Sequence, residues 1–188
     1  MADQDVTELT EDTSPTTDDL LYGVDDPSGT PADRKWTIDN LRILLEASKP
    51  KAKMTRDAAQ SIPDNASTLI QFDNTDFATG ITATTGAAAR FVITEAGKYL
   101  VGAFCRIPGI DDVERLTITI QVNGGAGGVV SGQIYSSGSN LTLGYPVIDA
   151  YDLSVSDYVE MYVAQTSGDA QNTSTDAWGK VRMFIVKI

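Results

Sequence analysis

Along the second two-thirds of the chain, apolar residues recur at every second position. The clearest run is Leu116, Ile118, Ile120 and Val122, with threonine or glutamine at each position between them. A period of two is that of a β-strand with one face in a core and the other in water. Further strands are predicted at 68–73, 89–94, 98–107, 128–135, 140–149, 158–163 and 179–187. Because glycine-rich turns rather than helical patterns separate them, the pattern predicts a mainly β protein, an antiparallel sandwich or jelly roll.

Two of the predicted strands are apolar on both faces. They contain the runs Tyr99–Cys105 and Met183–Val186. One face of each strand in a single sandwich is expected to meet water, so a second apolar face predicts burial against another subunit. A symmetric oligomer covers such a face most simply, and a loop folded over it is the alternative. The residues expected at the subunit interface are Phe104, Tyr162, Phe184 and Val186.

The segment that precedes the sandwich predicts a hairpin followed by a helix. An apolar run at Leu20–Val24 and a return at 34–38 flank a turn at Pro27-Ser28-Gly29, where proline and glycine suit turn torsions. Thr37 then caps a predicted helix of about 12 residues that ends at Pro50. Hairpins and helices this short are marginal alone. The segment therefore needs a partner, which is the following domain, a second copy or another protein.

Charge divides the chain further. Lys and Arg number 14 against 26 Asp and Glu, a net charge of -12, and the first 33 residues contain no base. We expect residues 1–19 to be a flexible acidic arm, 20–57 an anchoring segment and 58–188 the sandwich domain. An acidic protein repels nucleic acid and anionic lipid. No apolar run approaches the length of a membrane span, and acids after Met1 do not resemble a secretory signal.

Candidate chemistry is sparse. The chain has no histidine and one cysteine, which excludes Ser-His-Asp triads, His-ligated metals and an internal disulfide. Asp111, Asp112 and Glu114 can supply oxygen ligands to calcium, although acids in a loop are more often only solvated. Cys105, inside an apolar run, is expected to be a buried filler. We therefore expect neither a catalytic residue nor a cofactor; a hydrolytic appendage is the least favoured class.

The segment 90–101 carries a recognisable signature. Phe91, Gly97 and Tyr99 precede an apolar strand, Asp157–Tyr162 reads Asp-Tyr-Val-Glu-Met-Tyr, and 181–188 closes the chain. The region 58–188 thereby resembles the complement globular-head and tumour-necrosis-factor-like superfamily, with 60–73 as its opening strand. That resemblance implies a jelly roll of about ten strands, assembled as a homotrimer and used for binding or display rather than catalysis.

The segment 20–41 is similar to the start of many tailed-bacteriophage virion proteins, with the apolar run at 20–24, the turn at 26–31 and Lys35–Leu41 carrying the likeness. The resemblance implies a segment that attaches the protein to the virion. Together with the trimeric jelly roll, it predicts a trimeric capsid decoration protein or short head fibre. Such a protein is made in the bacterial cytoplasm and displayed on the virion surface, with capsid or tail proteins as partners. The alternative is a tail-fibre or baseplate tip that binds a host receptor or glycan. Residues expected to anchor the chain are Leu20, Leu21, Tyr22, Val24, Trp36, Ile38 and Leu41.

Overall fold

The computed structural model describes residues 20–25, 32–37, 49–111 and 113–188. The chain divides into two compact units, Met1–Ser48 and Lys49–Ile188. In the part of the chain so described, no helix combines the length and the apolar character needed to cross a membrane.

The first unit contains the predicted hairpin. Strands β1 (Leu20–Asp25) and β2 (Ala32–Thr37) pair antiparallel. Leu21 lies opposite Trp36, and Tyr22 lies opposite Lys35. The hairpin prediction is thus confirmed. The predicted turn at 27–29, the predicted helix from Ile38 and the acidic arm at 1–19 lie outside the described residues.

The second unit is built of antiparallel strands in two main sheets. Its strands are β3 (Lys51–Arg56), β4 (Ser61–Ile62), β5 (Thr68–Leu69), β6 (Asn74–Thr79), β7 (Ile81–Thr84), β8 (Arg90–Ile93), β9 (Gly97–Ile110), β10 (Arg115–Val122), β11 (Gly128–Tyr135), β12 (Leu141–Leu153), β13 (Tyr158–Gln165), β14 (Gln171–Asn172) and β15 (Val181–Lys187). A five-stranded sheet has the order β12-β9-β15-β3-β6. A six-stranded sheet has the order β11-β10-β13-β8-β7, with β5 also paired to β13, and β14 pairs with β4 in a small third sheet. This is the antiparallel jelly-roll sandwich that the alternation predicts.

One hydrophobic core lies between the two main sheets. Leu116, Ile118, Ile120 and Val122 on β10 are all buried, and the residues between them are only partly so. From the other sheet, β9 and β15 contribute alternate residues such as Val101 and Ile185. The alternation therefore identified the core face of β10 correctly, because a strand's side chains point to opposite faces in turn.

The domain begins earlier than expected. The boundary was expected at residue 58, with 60–73 as the opening strand, but the compact unit starts at Lys49. Strand β3 lies between β15 and β6 in the five-stranded sheet, and only β4 and β5 form short strands within 60–73. The physical reason is that β3 buries Ala52 and Met54 while its lysines remain half-buried, so its apolar signal is weak.

The signature residues near β8 and β9 have clear packing roles. Phe91 is buried in the core, and so is Tyr99, whose hydroxyl donates a hydrogen bond to the Glu95 carbonyl at 2.6 Å. At Gly97, a Cβ atom would lie 2.3 Å from Cε of Lys187. The φ of Gly97 is 157°, a backbone conformation that favours glycine, and the flexible end of Lys187 would also have to shift for a larger residue.

Candidate subunit interface

The outer face of the five-stranded sheet, the side pointing away from the core, is mainly apolar. Cross-strand register aligns one row of residues across all five strands: Ile148, Gly102, Phe184, Lys53 and Phe77. Neighbouring rows carry Pro146, Phe104 and Arg182 on one side and Ala150, Leu100 and Val186 on the other. These residues, with Lys51, are called here the apolar outer face.

Phe184 forms a ridge at the centre of this face. Its ring lies over Gly102 on the neighbouring strand, where an added Cβ would be 2.2 Å from Phe184 Cε1. The absence of a side chain at Gly102 is therefore what allows the ring to lie along the sheet. Phe184 is half-buried by this contact, and the rest of its ring faces outward.

A depression lies on each side of the Phe184 ridge. One is lined by Phe104, Pro146 and Ile148, and the other by Phe77, Val186 and the stems of Lys51 and Lys53. Arg182 borders both, and its guanidinium stacks on the Phe104 ring with 4.6 Å between the guanidinium carbon and the ring centroid. The two depressions therefore differ in composition.

Exposure confirms that this face lacks a cover within the described residues of one chain. Phe77 is 47% exposed and Ile148 53%. Exposed apolar side chains that are contiguous, rather than scattered, mark interaction surfaces. The apolar outer face has this character.

The corresponding face of the six-stranded sheet is polar. Thr117, Thr119 and Gln121 point outward from β10, and Ser131 and Gln133 do so from the adjoining β11. The hydroxyl oxygens of Thr119 and Ser131 are 3.1 Å apart, within hydrogen-bond distance. Val129 and Tyr135 are also exposed on this face, at the two ends of β11 with Ser131 and Gln133 between them, so the outer face of the five-stranded sheet is the more continuously apolar of the two.

The four residues predicted at a subunit interface do not share one surface. Phe104, Phe184 and Val186 lie together on the apolar outer face. Tyr162 lies on β13 in the other sheet, where its hydroxyl donates a hydrogen bond to Glu160 at 3.2 Å. Burial and the neighbouring Glu160 carboxylate raise the pKa of Tyr162. Tyr162 therefore lies apart from the other three predicted residues, because the sheet order separates two strands that look alike in sequence.

The sequence also missed contributors to this face. Phe77 stands in β6, whose other residues are polar or small, and Pro146 and Ile148 stand in a strand with no regular alternation. Alternation along one strand reveals a core face to which that strand contributes several residues. It does not reveal a second face to which each of several strands contributes a single residue. In the sequence, only its large apolar side chain distinguishes Phe77 from the polar or small residues around it in β6.

The predicted anchoring residues that the structure describes lie on the two strands of the hairpin. Leu20, Leu21, Tyr22 and Val24 lie on β1, and Trp36 lies on β2, where the register pairs it with Leu21. Ile38 and Leu41 lie outside the described residues.

The candidate calcium ligands form part of a turn. Glu114 accepts a hydrogen bond from the Asp111 backbone N–H at 2.6 Å, and Asp111 accepts one from the Asn140 backbone N–H at 2.6 Å. Asp112 is not among the described residues. Across the residues that are described, no group of three acidic, cysteine or histidine side chains is placed to hold a metal.

Other polar clusters stabilise loops and sheet edges. Cys105 is fully buried in the core, and burial raises the pKa of its thiol to about 12. Asp76 accepts hydrogen bonds from Lys53 at 2.7 Å and Thr55 at 2.9 Å. Burial alone would raise the pKa of Asp76, but these two donors outweigh it and lower that pKa. Packing in the core therefore accounts for Cys105, and the hydrogen bonds within the five-stranded sheet account for Asp76.

Comparison with solved structures identifies the fold. The globular domain of zebrafish complement 1qA protein superposes with a TM-score of 0.54 at 13% identity, covering 74% of this chain and 97% of that one. Murine APRIL at pH 5.0 gives a TM-score of 0.51 at 12% identity, covering 74% of this chain and 99% of that one. Its structure at pH 8.0 gives 0.52 at 13% identity, covering 74% and 98%. The chain has a jelly roll like those of C1q and tumour necrosis factor, as the signature residues predict.

Comparison of sequences adds no family. No protein-family profile matches the chain, and no curated protein matches it in sequence. At 12–13% identity to the solved structures, the likeness concerns the fold alone.

Proposed function

We propose that this chain is a non-enzymatic structural protein of a tailed-phage virion. Its jelly-roll unit assembles as a homotrimer through the apolar outer face, and its N-terminal segment anchors the trimer to the particle. The observation that carries the proposal is the uncovered apolar face centred on Phe184, on a fold that is commonly trimeric. The virion assignment is supported by the resemblance of 20–41 to phage proteins.

A closed ring suits this face better than a two-fold dimer. A two-fold axis pairs like patches, whereas a ring pairs one patch with a different patch on the next copy. The depressions on the two sides of Phe184 are lined by different residues. In a ring, each subunit contacts its two neighbours through two different surfaces. The two depressions beside Phe184 can serve as these two surfaces.

The division of the chain supports a separate anchoring role for its N-terminal unit. Residues 1–48 form their own compact unit, and their described part is a two-stranded hairpin. A hairpin of two strands is marginal alone in water. Its apolar residues Leu20, Leu21, Tyr22, Val24 and Trp36 therefore favour burial against a partner, here a capsid or tail protein.

Acidic residues at 1–19 support an electrostatic contribution to that attachment. They would lie along a basic surface of the partner, and screening would weaken the contribution as salt rises. Three arms on one trimer bind the particle with avidity. Truncation of one buried tryptophan at an interface costs about 2 kcal/mol or more, so each arm is expected to matter.

The test compares two tryptophan variants of the full chain on phage particles that lack the protein. Trp36→Ala is expected to reduce occupancy at least tenfold, as deletion of residues 1–45 does. Trp178→Ala, which removes the other tryptophan, is expected to leave occupancy unchanged. If the deleted form still decorates particles at normal occupancy, the arm is not the anchor. Electron microscopy of the labelled particles then distinguishes a capsid position from a tail tip, the alternative placement.

A further inference from the structure

An indole is displayed to solvent in the loop between β14 and β15. Trp178 is 86% exposed, more than any other large apolar side chain in the described residues. Tryptophan is usually well buried because its large apolar area favours removal from water. An indole presented in this way needs an explanation other than packing of the fold.

The loop that carries Trp178 is held by many hydrogen bonds. The Asp176 carboxylate accepts hydrogen bonds from the Trp178 N–H at 3.1 Å, the Ser174 hydroxyl at 2.8 Å and Arg106 at 3.0 Å, and also from the Gly179 N–H. The Ser174 N–H donates to the Arg106 carbonyl on β9 at 2.9 Å. Hydrogen bonds that involve both backbone and side-chain atoms of the loop therefore attach it to β9.

The packing around Gly179 further restricts the conformation of the loop. A Cβ atom there would lie 2.4 Å from the Ser174 hydroxyl and 2.9 Å from Cδ of Arg106. The residue after the tryptophan therefore has to be glycine for this geometry. A loop that is ordered before binding loses little conformational entropy when a ligand arrives.

The loop lies at the end of the jelly roll opposite the point where the chain enters it. The Lys187 N–H donates to the Pro50 carbonyl, and the Ile188 N–H donates to the Lys98 carbonyl, so both termini of this unit meet at the start of β9. Arg106, which holds the Trp178 loop, is eight residues further along β9. At roughly 3.3 Å per residue this separates the two ends by about 26 Å.

The surroundings of the indole favour an amphipathic ligand. Close to Trp178 along the chain, Asn172 and Thr175 are exposed and offer an amide and a hydroxyl group, and Ala177 is exposed and small. The core of a protein interface would instead be apolar and largely desolvated. A sugar ring has a C–H face that packs on an aromatic ring and hydroxyls that pair with such polar groups. The net charge of -12 disfavours an anionic sugar.

We propose that the loop 173–180 is a binding site for a neutral glycan, with Trp178 as the platform on which one sugar ring stacks. The site is distinct from the apolar outer face and from the N-terminal anchor. It does not depend on whether the anchor is a capsid, a tail or another surface.

The test uses the full chain on an array of neutral oligosaccharides of glucose, galactose, mannose and N-acetylglucosamine. The strongest probe is then titrated in solution by selectively excited tryptophan fluorescence in the Trp36→Phe background, where Trp178 is the remaining tryptophan. Calorimetry compares the variants. Trp178→Ala is expected to weaken binding at least tenfold and Trp178→Phe only a few-fold, because phenylalanine keeps a flat ring. Val155→Ala, an exposed apolar residue at the opposite end, is the matched control and is expected to bind normally.

Three results would overturn the assignment. They are binding to none of the neutral probes, equal binding by Trp178→Ala and the parent chain, and equal loss in Val155→Ala. Capture of a protein through Trp178 with no glycan bound would assign the loop to a protein partner instead. Each of these results leaves the Trp36→Ala experiment on particles unaffected, so the glycan site and the virion anchor fail independently.

Discussion

The most informative perturbation is at Phe184, because this ring lies at the centre of the apolar outer face and outside the core. Full burial of a phenylalanine side chain is worth about 1.5–3 kcal/mol. Less than half of the side chain remains exposed beside Gly102, so trimerisation adds at most about 1 kcal/mol per ring. Three rings then contribute at most roughly 3 kcal/mol, and Phe184→Ala is expected to raise the trimer dissociation constant up to about 100-fold.

Phe184→Asp is expected to have a larger effect, since it also places an unpaired charge in the interface. Sedimentation velocity over nanomolar to micromolar concentrations measures both variants. Val129→Asp is the matched control, because Val129 is 54% exposed and points outward from the polar six-stranded sheet. Far-UV circular dichroism checks that each variant is folded. A trimer that persists in Phe184→Asp, or one that dissociates equally in Val129→Asp, would refute the interface.

Four further outcomes follow from the same structure. Ile118→Asp is expected to abolish soluble expression, since an unpaired charge in the core costs several kcal/mol out of a typical stability of about 5–15 kcal/mol; Thr119→Asp, one residue along on the solvent face, is expected to be tolerated. Gly102→Ala is expected to weaken the trimer without unfolding the subunit, because its Cβ displaces the Phe184 ring; an unchanged dissociation constant would contradict this. Cys105 is expected to resist a thiol reagent at pH 8 until the protein is denatured, because burial raises its pKa to about 12; fast labelling of the native protein would count against its burial. Asp76 has a lowered pKa, so its ion pair stabilises the fold above the unfolded value of 3.8 and that contribution is lost as pH falls below it. Asp76→Asn should therefore lower the free energy of unfolding by up to about 1 kcal/mol at pH 7 and by nothing near pH 2, as urea unfolding at the two pH values would measure.

Much of the fold could be read from local pattern. The alternation at 116–122 identified β10 and its buried face. Successive side chains of a strand point to opposite faces, so apolar residues at every second position all lie on the same face. The hairpin at 20–37 followed from two short runs around turn residues. The residues Phe91, Gly97 and Tyr99 indicated the superfamily fold, and each has a packing role that depends on its own size.

Strand β3 shows where local pattern was insufficient. Lys51–Arg56 contains basic residues at positions 51, 53 and 56, and only Ala52 and Met54 are apolar residues on its core face. Such a segment has the composition of a solvated linker until its neighbours are known. Pairing with β15 on one side and β6 on the other makes it an inner strand of the sheet.

What the sequence determined alone was therefore the class of the fold, the core faces of its most regular strands and the presence of surplus apolar surface. The tertiary structure decided where that surplus lies. From the sequence alone, Tyr162 and Phe184 are equally good candidates for the subunit interface. The strand order places Tyr162 in the six-stranded sheet and Phe184 beside Gly102 in the five-stranded sheet. Trp178 gave no periodic signal, and it stands exposed in a loop that hydrogen bonds from Ser174 and Arg106 to Asp176 hold in place. The physical reason is that periodicity reports which side of a strand is apolar, while only the packing of distant strands and loops determines which apolar groups remain uncovered.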